Sequence, residues 1–254
     1  MTNLELIELA KAQYNTDNEY VLYEILYHLS KKTKTKNEFI INYQTEIDFK
    51  VFDYFQLCNK YFIRKKPLAQ IIGTVRFCGL EFKIKHKVLE PREITEQFTW
   101  QLIHKLQMVR PMIIYDLCSG SGIIGIAIKK YCPQHKVYCV DKYSKQVQNI
   151  KLNAKALNVD VMAVKQDCLK FLEQYPDFDI LVSNPPYVAK NDIDKDLYKF
   201  ESKKSFIAKE NGLYFITRFI DFIASSKYVK KGFIEIGYKA YNNLVQVYKD
   251  NFDI

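Results

Sequence analysis

The sequence predicts an α/β protein built on a doubly wound, mostly parallel sheet, with a small N-terminal helical domain before it and a β-hairpin linker between the two. Three observations lead there. From about residue 111 to residue 237, short apolar runs alternate with amphipathic helical stretches, the pattern of strand–helix–strand units that make a parallel sheet. A glycine-rich loop, Gly120-x-Gly122-x-x-Gly125, follows the first of those runs and opens a helix. Residues 1–66 show helical periodicity instead of this alternation.

In the helical domain, YVLYEILYHL is a short apolar helix. In EIDFKVFDYFQLCNKYFIRKK the positions Ile47, Val51, Phe55, Cys58 and Phe62 recur every three or four residues and form one face of another helix. The polar, basic stretch SKKTKTKNE between them reads as a loop. Residues 67–94 change character, with β-branched and aromatic residues flanking Cys78-Gly79, so a hairpin is expected there. Thr95 is a candidate cap for the helix in EQFTWQLIHKL. MIIYD, KVYCVD, VMAVKQD, FDILVSN and GFIEIG then supply five strands. Helices in GIIGIAIKKY, YSKQVQNIKLNAKAL, a short segment from Cys168, and GLYFITRFIDFIAS lie between them. Such sheets bind ligands beyond the carboxyl ends of the strands, where the strand order switches. The residues at those ends are Asp116, Asp141, Asp167 and Asn184.

Composition narrows the function classes. The 254 residues are 48% hydrophobic, enough for a full core and against global disorder. A net charge of +9 permits a polyanionic partner such as RNA, but no arginine-rich tract strengthens that reading. A nucleic-acid partner is therefore disfavoured and left open. Six cysteines are scattered without a C-x-x-C pair, and with four histidines they show no zinc spacing. They read as small buried residues in a reducing compartment. The N-terminus, MTNLELIELAKAQY, carries acids in its first turns and no long apolar run, which argues against a signal peptide or membrane span. A cytoplasmic protein with no membrane partner is expected.

The glycine loop admits two cofactors. With Asp141 ending the next strand, it fits a dinucleotide fingerprint in which Asp141 accepts ribose hydroxyls. Asp116 weighs against that, because a carboxylate beside the loop repels a pyrophosphate. S-adenosylmethionine carries no phosphate but an ammonium and a sulfonium, and an acid there suits it. Gly120, Gly122, Asp116 and Asp141 are thus candidate cofactor residues. A tight turn for the glycines and a helix cap for Asp141 are the structural alternatives. Asp167 either accepts from an adenine amino group or caps the helix at Cys168.

The stretch DILVSNPPYVAK carries the candidate chemistry. An amide or exocyclic amine is a weak nucleophile, since its lone pair is delocalised. Acceptors holding both N–H bonds polarise the group and aim the nitrogen at a methyl donor. Asn184 offers a side-chain carbonyl that also borders the cofactor, and Pro185 offers a backbone carbonyl. Pro185 and Pro186 have no N–H and restricted dihedrals, which holds the acceptors in place. Tyr187 offers a flat face for a planar amide or base. A rigid turn after a strand is the plain alternative. These residues do not choose between an amide and an adenine amine.

Together they resemble the PrmC/HemK family, the glutamine methyltransferases of peptide-chain release factors. Asp116-Leu-Cys-Ser-Gly-Ser-Gly122 is similar to that family's cofactor loop, and Asn184-Pro-Pro-Tyr187 to its catalytic motif. KPLAQIIGTVRFCGLEF and LEPREITE, with Pro91, Arg92, Thr95 and Glu96, resemble its linker hairpin and signature. The resemblance covers most of the chain. It implies a helical substrate-binding domain over 1–66, a linker over 67–94 and a Rossmann-like class I methyltransferase domain over 95–254. It also implies S-adenosyl-L-methionine as cofactor, and as substrate the glutamine of the release factor's Gly-Gly-Gln tip, with Arg92 as a further substrate contact. Ile94 and Glu201-Ser202 stand where the family usually has proline and Glu-Pro, which leaves Glu201 a weak candidate. The family continues through two more strands past VYKDNFDI, so a C-terminally short sheet with an uncovered edge is expected.

Four rivals remain. One methylates a ribosomal-protein glutamine, and one methylates adenine N6 in DNA or RNA by flipping the base onto Tyr187. A nicotinamide dehydrogenase has no use for Asn184-Pro-Pro-Tyr187. The last is a non-catalytic remnant.

Overall fold

The computed structural model describes residues 1–30, 45–85, 88–192, 200, 202–226 and 230–248. Most of the expected basic loop SKKTKTKNE, and Glu201, lie outside the described residues. The chain divides into two compact units, Met1–Gly73 and Thr74–Ile254.

The first unit holds α1 (Asn3–Tyr14), α2 (Glu19–Leu29), α3 (Val51–Phe62) and the short α4 (Leu68–Ile72). A reciprocal capping box starts α1: Thr2 Oγ1 accepts from the Glu5 N–H at 3.2 Å, and Glu5 Oε2 accepts from the Thr2 N–H at 2.9 Å. Asn18 caps α2 through the Val21 N–H. Leu6, Ile7 and Ala10 of α1 pack on Val21, Leu22, Ile25 and Leu26 of α2 and on Tyr54 and Cys58 of α3. Tyr54 is fully buried, and its hydroxyl donates to the Leu22 carbonyl at 3.3 Å, as a buried phenol requires. The inner face of α3 is thus set by Tyr54 and Cys58; Phe55 and Phe62 are half-buried, and Ile47 precedes the helix. Residues 68–72, expected at the start of the linker, are helical and pack into this unit.

The second unit opens with the hairpin β1 (Thr74–Phe77) and β2 (Leu80–Lys83), paired antiparallel from Phe77↔Leu80. Cys78 and Gly79 turn with φ of 49° and 70°, the two positive values that a two-residue turn of matching twist needs. Cys78 holds that conformation because Glu96 Oε1 accepts its N–H at 2.7 Å and the Tyr131 hydroxyl donates to its carbonyl at 2.7 Å. Next come α5 (Glu93–Leu106), β3 (Ile113–Leu117), α6 (Ile123–Tyr131), β4 (Lys136–Asp141), α7 (Ser144–Ala156), β5 (Met162–Lys165), α8 (Cys168–Gln174) and β6 (Ile180–Ser183). A small parallel pair, β7 (Val188–Ala189) and β8 (Ile207–Ala208), precedes α9 (Tyr214–Ala224), β9 (Lys231–Ile234) and α10 (Tyr238–Tyr248).

The main sheet has the order β5-β4-β3-β6-β9, and every pairing in it is parallel. Period-2 alternation divides its side chains between two cores. Ile114, Val137, Cys139, Ile180 and Val182 face α5, α6 and the hairpin. Tyr115, Leu117, Val140 and Leu181 face Phe171 and Leu172 of α8 and Phe219 of α9. Strands buried on both faces explain why the apolar runs were continuous rather than alternating. Strand order reverses between β3 and β6, so the crevice for a ligand opens above their carboxyl ends. Among the described residues β5 and β9 are the edge strands of this sheet.

One expectation changes and one contact is new. Thr95 is not a cap: α5 starts at Glu93, so Thr95 lies in the first turn with its side chain turned inward, 2% exposed. The hairpin is also clasped by asparagines on α7. Asn149 Oδ1 and Asn153 Oδ1 accept the N–H groups of Lys85 and Lys83, and both amides donate to the Lys83 carbonyl.

Candidate active site

The crevice is a cavity of about 380 Å³ above β3, β4 and β6, a size suited to a small-molecule ligand. Its wall includes the loop residues Cys118 to Ser121, Asp141 and Tyr143 past β4, Asp167, and Asn184 and Pro186 past β6. Val88, Leu89, Pro91 and Thr95 close one side, and Ile207, Ala208 and Phe215 another.

The loop's shape is set from below. Asp116, fully buried within β3, points toward α6. Its Oδ2 accepts the Ser119 hydroxyl at 2.5 Å and the Gly125 N–H at 2.9 Å. Gly125 must be glycine: a Cβ there would lie 2.5 Å from Cys139 Sγ and 2.9 Å from Asp116 Oδ2. Burial pushes the Asp116 carboxyl up to about 7. Asp116 is therefore not on the cavity wall, and the sequence argument that its charge repels a pyrophosphate does not hold. Asp141 takes over that role. Its Oδ2 accepts the Gly120 N–H at 3.0 Å and its Oδ1 accepts the Tyr143 N–H at 2.9 Å. A carboxylate thus occupies a loop N–H that a phosphate would use. Burial raises the Asp141 carboxyl, opposed by those two N–H groups.

The other expected residues divide. Gly120, Asp141, Asp167, Asn184 and Pro186 line the cavity, while Gly122, Pro185, Tyr187 and Arg92 do not. Gly122 starts α6 at φ 81°, packed against Ile126 and Ile150. Asp167 accepts the Leu169 N–H at 3.2 Å as cap of α8 and pairs with Lys142 at 3.1 Å, so its carboxylate is engaged on the cavity's edge. The Tyr187 ring lies on Gly237, where a Cβ would approach Cε2 to 2.9 Å, and its hydroxyl donates to Glu235 Oε1 at 3.4 Å. That ring braces the turn rather than facing the cavity. Arg92, at the start of α5, lies near enough for its charge to lower the Tyr187 hydroxyl, which burial otherwise raises.

Asn184 sits on the wall with its amide fixed: Nδ2 donates to Thr95 Oγ1 at 3.2 Å, and Thr95 Oγ1 donates to Glu235 Oε2 at 2.6 Å. Sequence reasoning missed Glu235 and gave Thr95 only a capping role. The strand run GFIEIG contained Glu235 without marking it; in the structure it directly follows β9 as Asn184 follows β6, and the adjacency of those strands brings the two together. Cys118 and Cys168, both on the wall, bring their sulfurs to 3.5 Å. The neighbouring Cys168 thiol and burial push the Cys118 thiol well up, so it stays protonated.

Comparison with known proteins fits this geometry. Residues 95–217 match the model of the methyltransferase small domain. A release factor glutamine methyltransferase of Clostridium acetobutylicum is 31% identical over 238 residues, covering 89% of this chain and 81% of that protein. The chain belongs to the release factor glutamine methyltransferase family. An uncharacterized MG259 homolog of Mycoplasma pneumoniae is 29% identical over 92% of this chain, which spans about half (51%) of that protein's length. Among solved structures, the hMettl16 catalytic domain in complex with MAT2A 3'UTR hairpin 6 aligns over 92% of this chain and 84% of its own, with TM-score 0.53 and 14% identity, a likeness of fold.

Members of this methyltransferase family use S-adenosylmethionine, and the cavity fits that donor. Its wall is mostly apolar, with Asp141 and Asp167 as its acids and Lys142, Lys204 and Lys209 as its bases; Lys142 is paired with Asp167, and Asp141 holds the loop N–H where a dinucleotide's phosphates would bind. Among the described residues no cluster of three or more metal-ligating side chains occurs, and no helix is long and apolar enough to cross a membrane.

Proposed function

We propose that this methyltransferase acts on the side-chain amide of a glutamine in peptide-chain release factors, at the Gly-Gly-Gln tip. The observation that carries this reading is the fixed amide of Asn184 on the cavity wall, with its N–H end committed to Thr95. That leaves Oδ1 as the end able to accept from a substrate N–H. The names of the related proteins support the substrate class.

S-adenosylmethionine supplies a methyl group on a sulfonium, a good leaving group. Asn184 Oδ1, on the cavity wall, accepts one N–H bond of the glutamine amide; Pro185 does not line the cavity, and its carbonyl takes the second N–H by the role that the resemblance to the family motif implies. This withdraws the protons from the nitrogen and orients its lone pair. No strong base is needed: as the N–C bond forms the S–C bond breaks to leave a neutral thioether, the amide nitrogen becomes cationic and strongly acidic, and the proton it then sheds passes to solvent. The consecutive prolines contribute by lacking N–H groups that would compete for acceptors. Val88, Leu89, Ile207 and Phe215 give the cavity an apolar lining.

The test incubates the protein with labelled S-adenosylmethionine and offers release factor, ribosomal proteins and adenine-containing RNA and DNA side by side. Label on the release-factor glutamine is expected. Label confined to nucleic acid or to a ribosomal protein overturns the reading.

A further inference from the structure

We propose that Glu235 and Thr95 are positioning residues that fix which end of the Asn184 amide faces the substrate. The inference rests on the proposed function for its catalytic readout and on hydrogen-bond geometry for its structure.

The placement follows from the sheet. β6 and β9 are parallel with Ser183↔Ile234 in register, and the Glu235 N–H donates to the Ser183 carbonyl at 2.9 Å. The residues that follow, Asn184 and Glu235, therefore leave the sheet side by side. Thr95 reaches them from the first turn of α5.

The direction of the chain follows from donor counting. A carboxylate only accepts, and the Thr95 hydroxyl has one proton. At 2.6 Å that proton belongs to the bond with Glu235 Oε2, a short charge-assisted contact. Thr95 Oγ1 then faces Asn184 with lone pairs only, so it accepts from Nδ2. With the Asn184 amide flipped, two oxygen lone pairs would meet. An isolated asparagine amide has no such preference, and half of its orientations would present N–H bonds to a substrate that needs an acceptor. Glu235 uses its second oxygen too, accepting from the Tyr187 hydroxyl at 3.4 Å. One carboxylate thus ties down the first and fourth residues of Asn184-Pro185-Pro186-Tyr187, and Gly237 supports the ring from beneath.

The experiment compares wild type with Thr95→Val, Thr95→Ser and Glu235→Gln. Valine keeps the buried shape without the hydroxyl; serine keeps the hydroxyl. Glutamine keeps the shape of Glu235 but lets its N–H end face Thr95. Methyl transfer to release factor gives kcat and KM, calorimetry gives S-adenosylmethionine affinity, and NMR gives solvent exchange of the Asn184 side-chain NH2 protons. Misplacement of a catalytic group by about 1 Å costs on the order of 10²-fold. We expect Thr95→Val to lower kcat by roughly that factor, with release-factor KM and cofactor affinity held, and its Asn184 protons to exchange faster. Thr95→Ser should restore both readouts, and Glu235→Gln should lower kcat and speed exchange. Full kcat in Thr95→Val or Glu235→Gln overturns the proposal, as does a Thr95→Ser variant as slow as Thr95→Val. Wild type inert on release factors would instead defeat the proposed function. The NMR readout then decides alone: protection in wild type and Thr95→Ser but not Thr95→Val upholds the positioning chain, and equal exchange in all overturns it.

Discussion

Asp116 Oδ2 accepts the backbone N–H of Gly125 at 2.9 Å from beneath the glycine loop, with the Ser119 hydroxyl on the same oxygen. One carboxyl oxygen thereby ties the loop at Ser119 to the first turn of α6 at Gly125. The other, Oδ1, has no hydrogen-bond partner among the described residues.

This arrangement makes stability depend on pH in a defined direction. Burial raises the Asp116 carboxyl from 3.8 to about 7 in the folded protein. A raised acid binds more protons folded than unfolded between those values, so its contribution is most favourable below pH 4. It declines as pH rises and is lost above about 7. The Asp116→Asn variant keeps an accepting oxygen for Ser119 and Gly125 and carries no charge. The stability difference, variant minus wild type, should therefore grow in the variant's favour from pH 5 to pH 8 in urea denaturation. Parallel pH profiles would show that Asp116 does not titrate in this range.

Asp141 is expected to act on the cofactor rather than on turnover. Its carboxylate holds Gly120 and Tyr143 and borders the cavity. Asp141→Ala removes two charge-assisted acceptors, each contributing about 1.5–3 kcal/mol. S-adenosylmethionine affinity should fall by at least about tenfold, measured by calorimetry. Unchanged affinity would leave Asp141 as a loop and helix anchor only.

The asparagine clasp predicts a stability effect. Asn153 is fully buried and bonds to the Lys83 N–H, the Lys83 carbonyl and the Ser121 carbonyl. It joins the hairpin to the far side of the glycine loop. Asn153→Ala leaves the buried Ser121 carbonyl and the Lys83 N–H without this partner, and the cost is about 1–3 kcal/mol in denaturant unfolding. A change below about 0.5 kcal/mol, the range of plain surface substitutions, would mean that water replaces the clasp.

What the sequence revealed was what is local. Each strand run, the glycine loop and the turn at Cys78-Gly79 carry their signals within a few residues, and the structure follows them closely. Asn149 and Asn153 gave no such signal, because asparagines four apart on a helix look like a solvated face until a hairpin is laid against them. Glu235 needed the strand order: only when β9 is known to lie beside β6 does the acid after one meet the asparagine after the other. The stretch LEPREITE was informative for a reason the sequence did not disclose. Glu96 holds the hairpin turn and Thr95 holds Asn184, so the segment joins the hairpin to the Asn184-Pro-Pro-Tyr187 turn. Asp116 shows the converse. Its charge was reasonable to invoke from position alone, but burial beneath the loop removes it from the wall and moves its titration toward neutrality.

The Asn184 side chain is where these constraints meet the chemistry. Asn184→Ala removes the proposed wall acceptor for the substrate amide while leaving Asp141, the loop and the apolar wall in place. Loss of a single preorganised group of this kind costs about 10²–10³-fold in kcat, and cofactor affinity should stay within about threefold, since the charge-assisted contacts elsewhere persist. Asn184→Asp is the sharper variant. It keeps an oxygen toward the substrate but offers Thr95 no N–H, and it sets a second carboxylate near Glu235. If acceptance of the substrate N–H were all that mattered, Asn184→Asp would retain most activity. With the amide held through Thr95, it should be nearly as slow as Asn184→Ala. Single-turnover transfer from labelled S-adenosylmethionine distinguishes the two: normal turnover in Asn184→Ala would refute the acceptor role itself, and a fast Asn184→Asp would show that Thr95 holds the turn without orienting the amide.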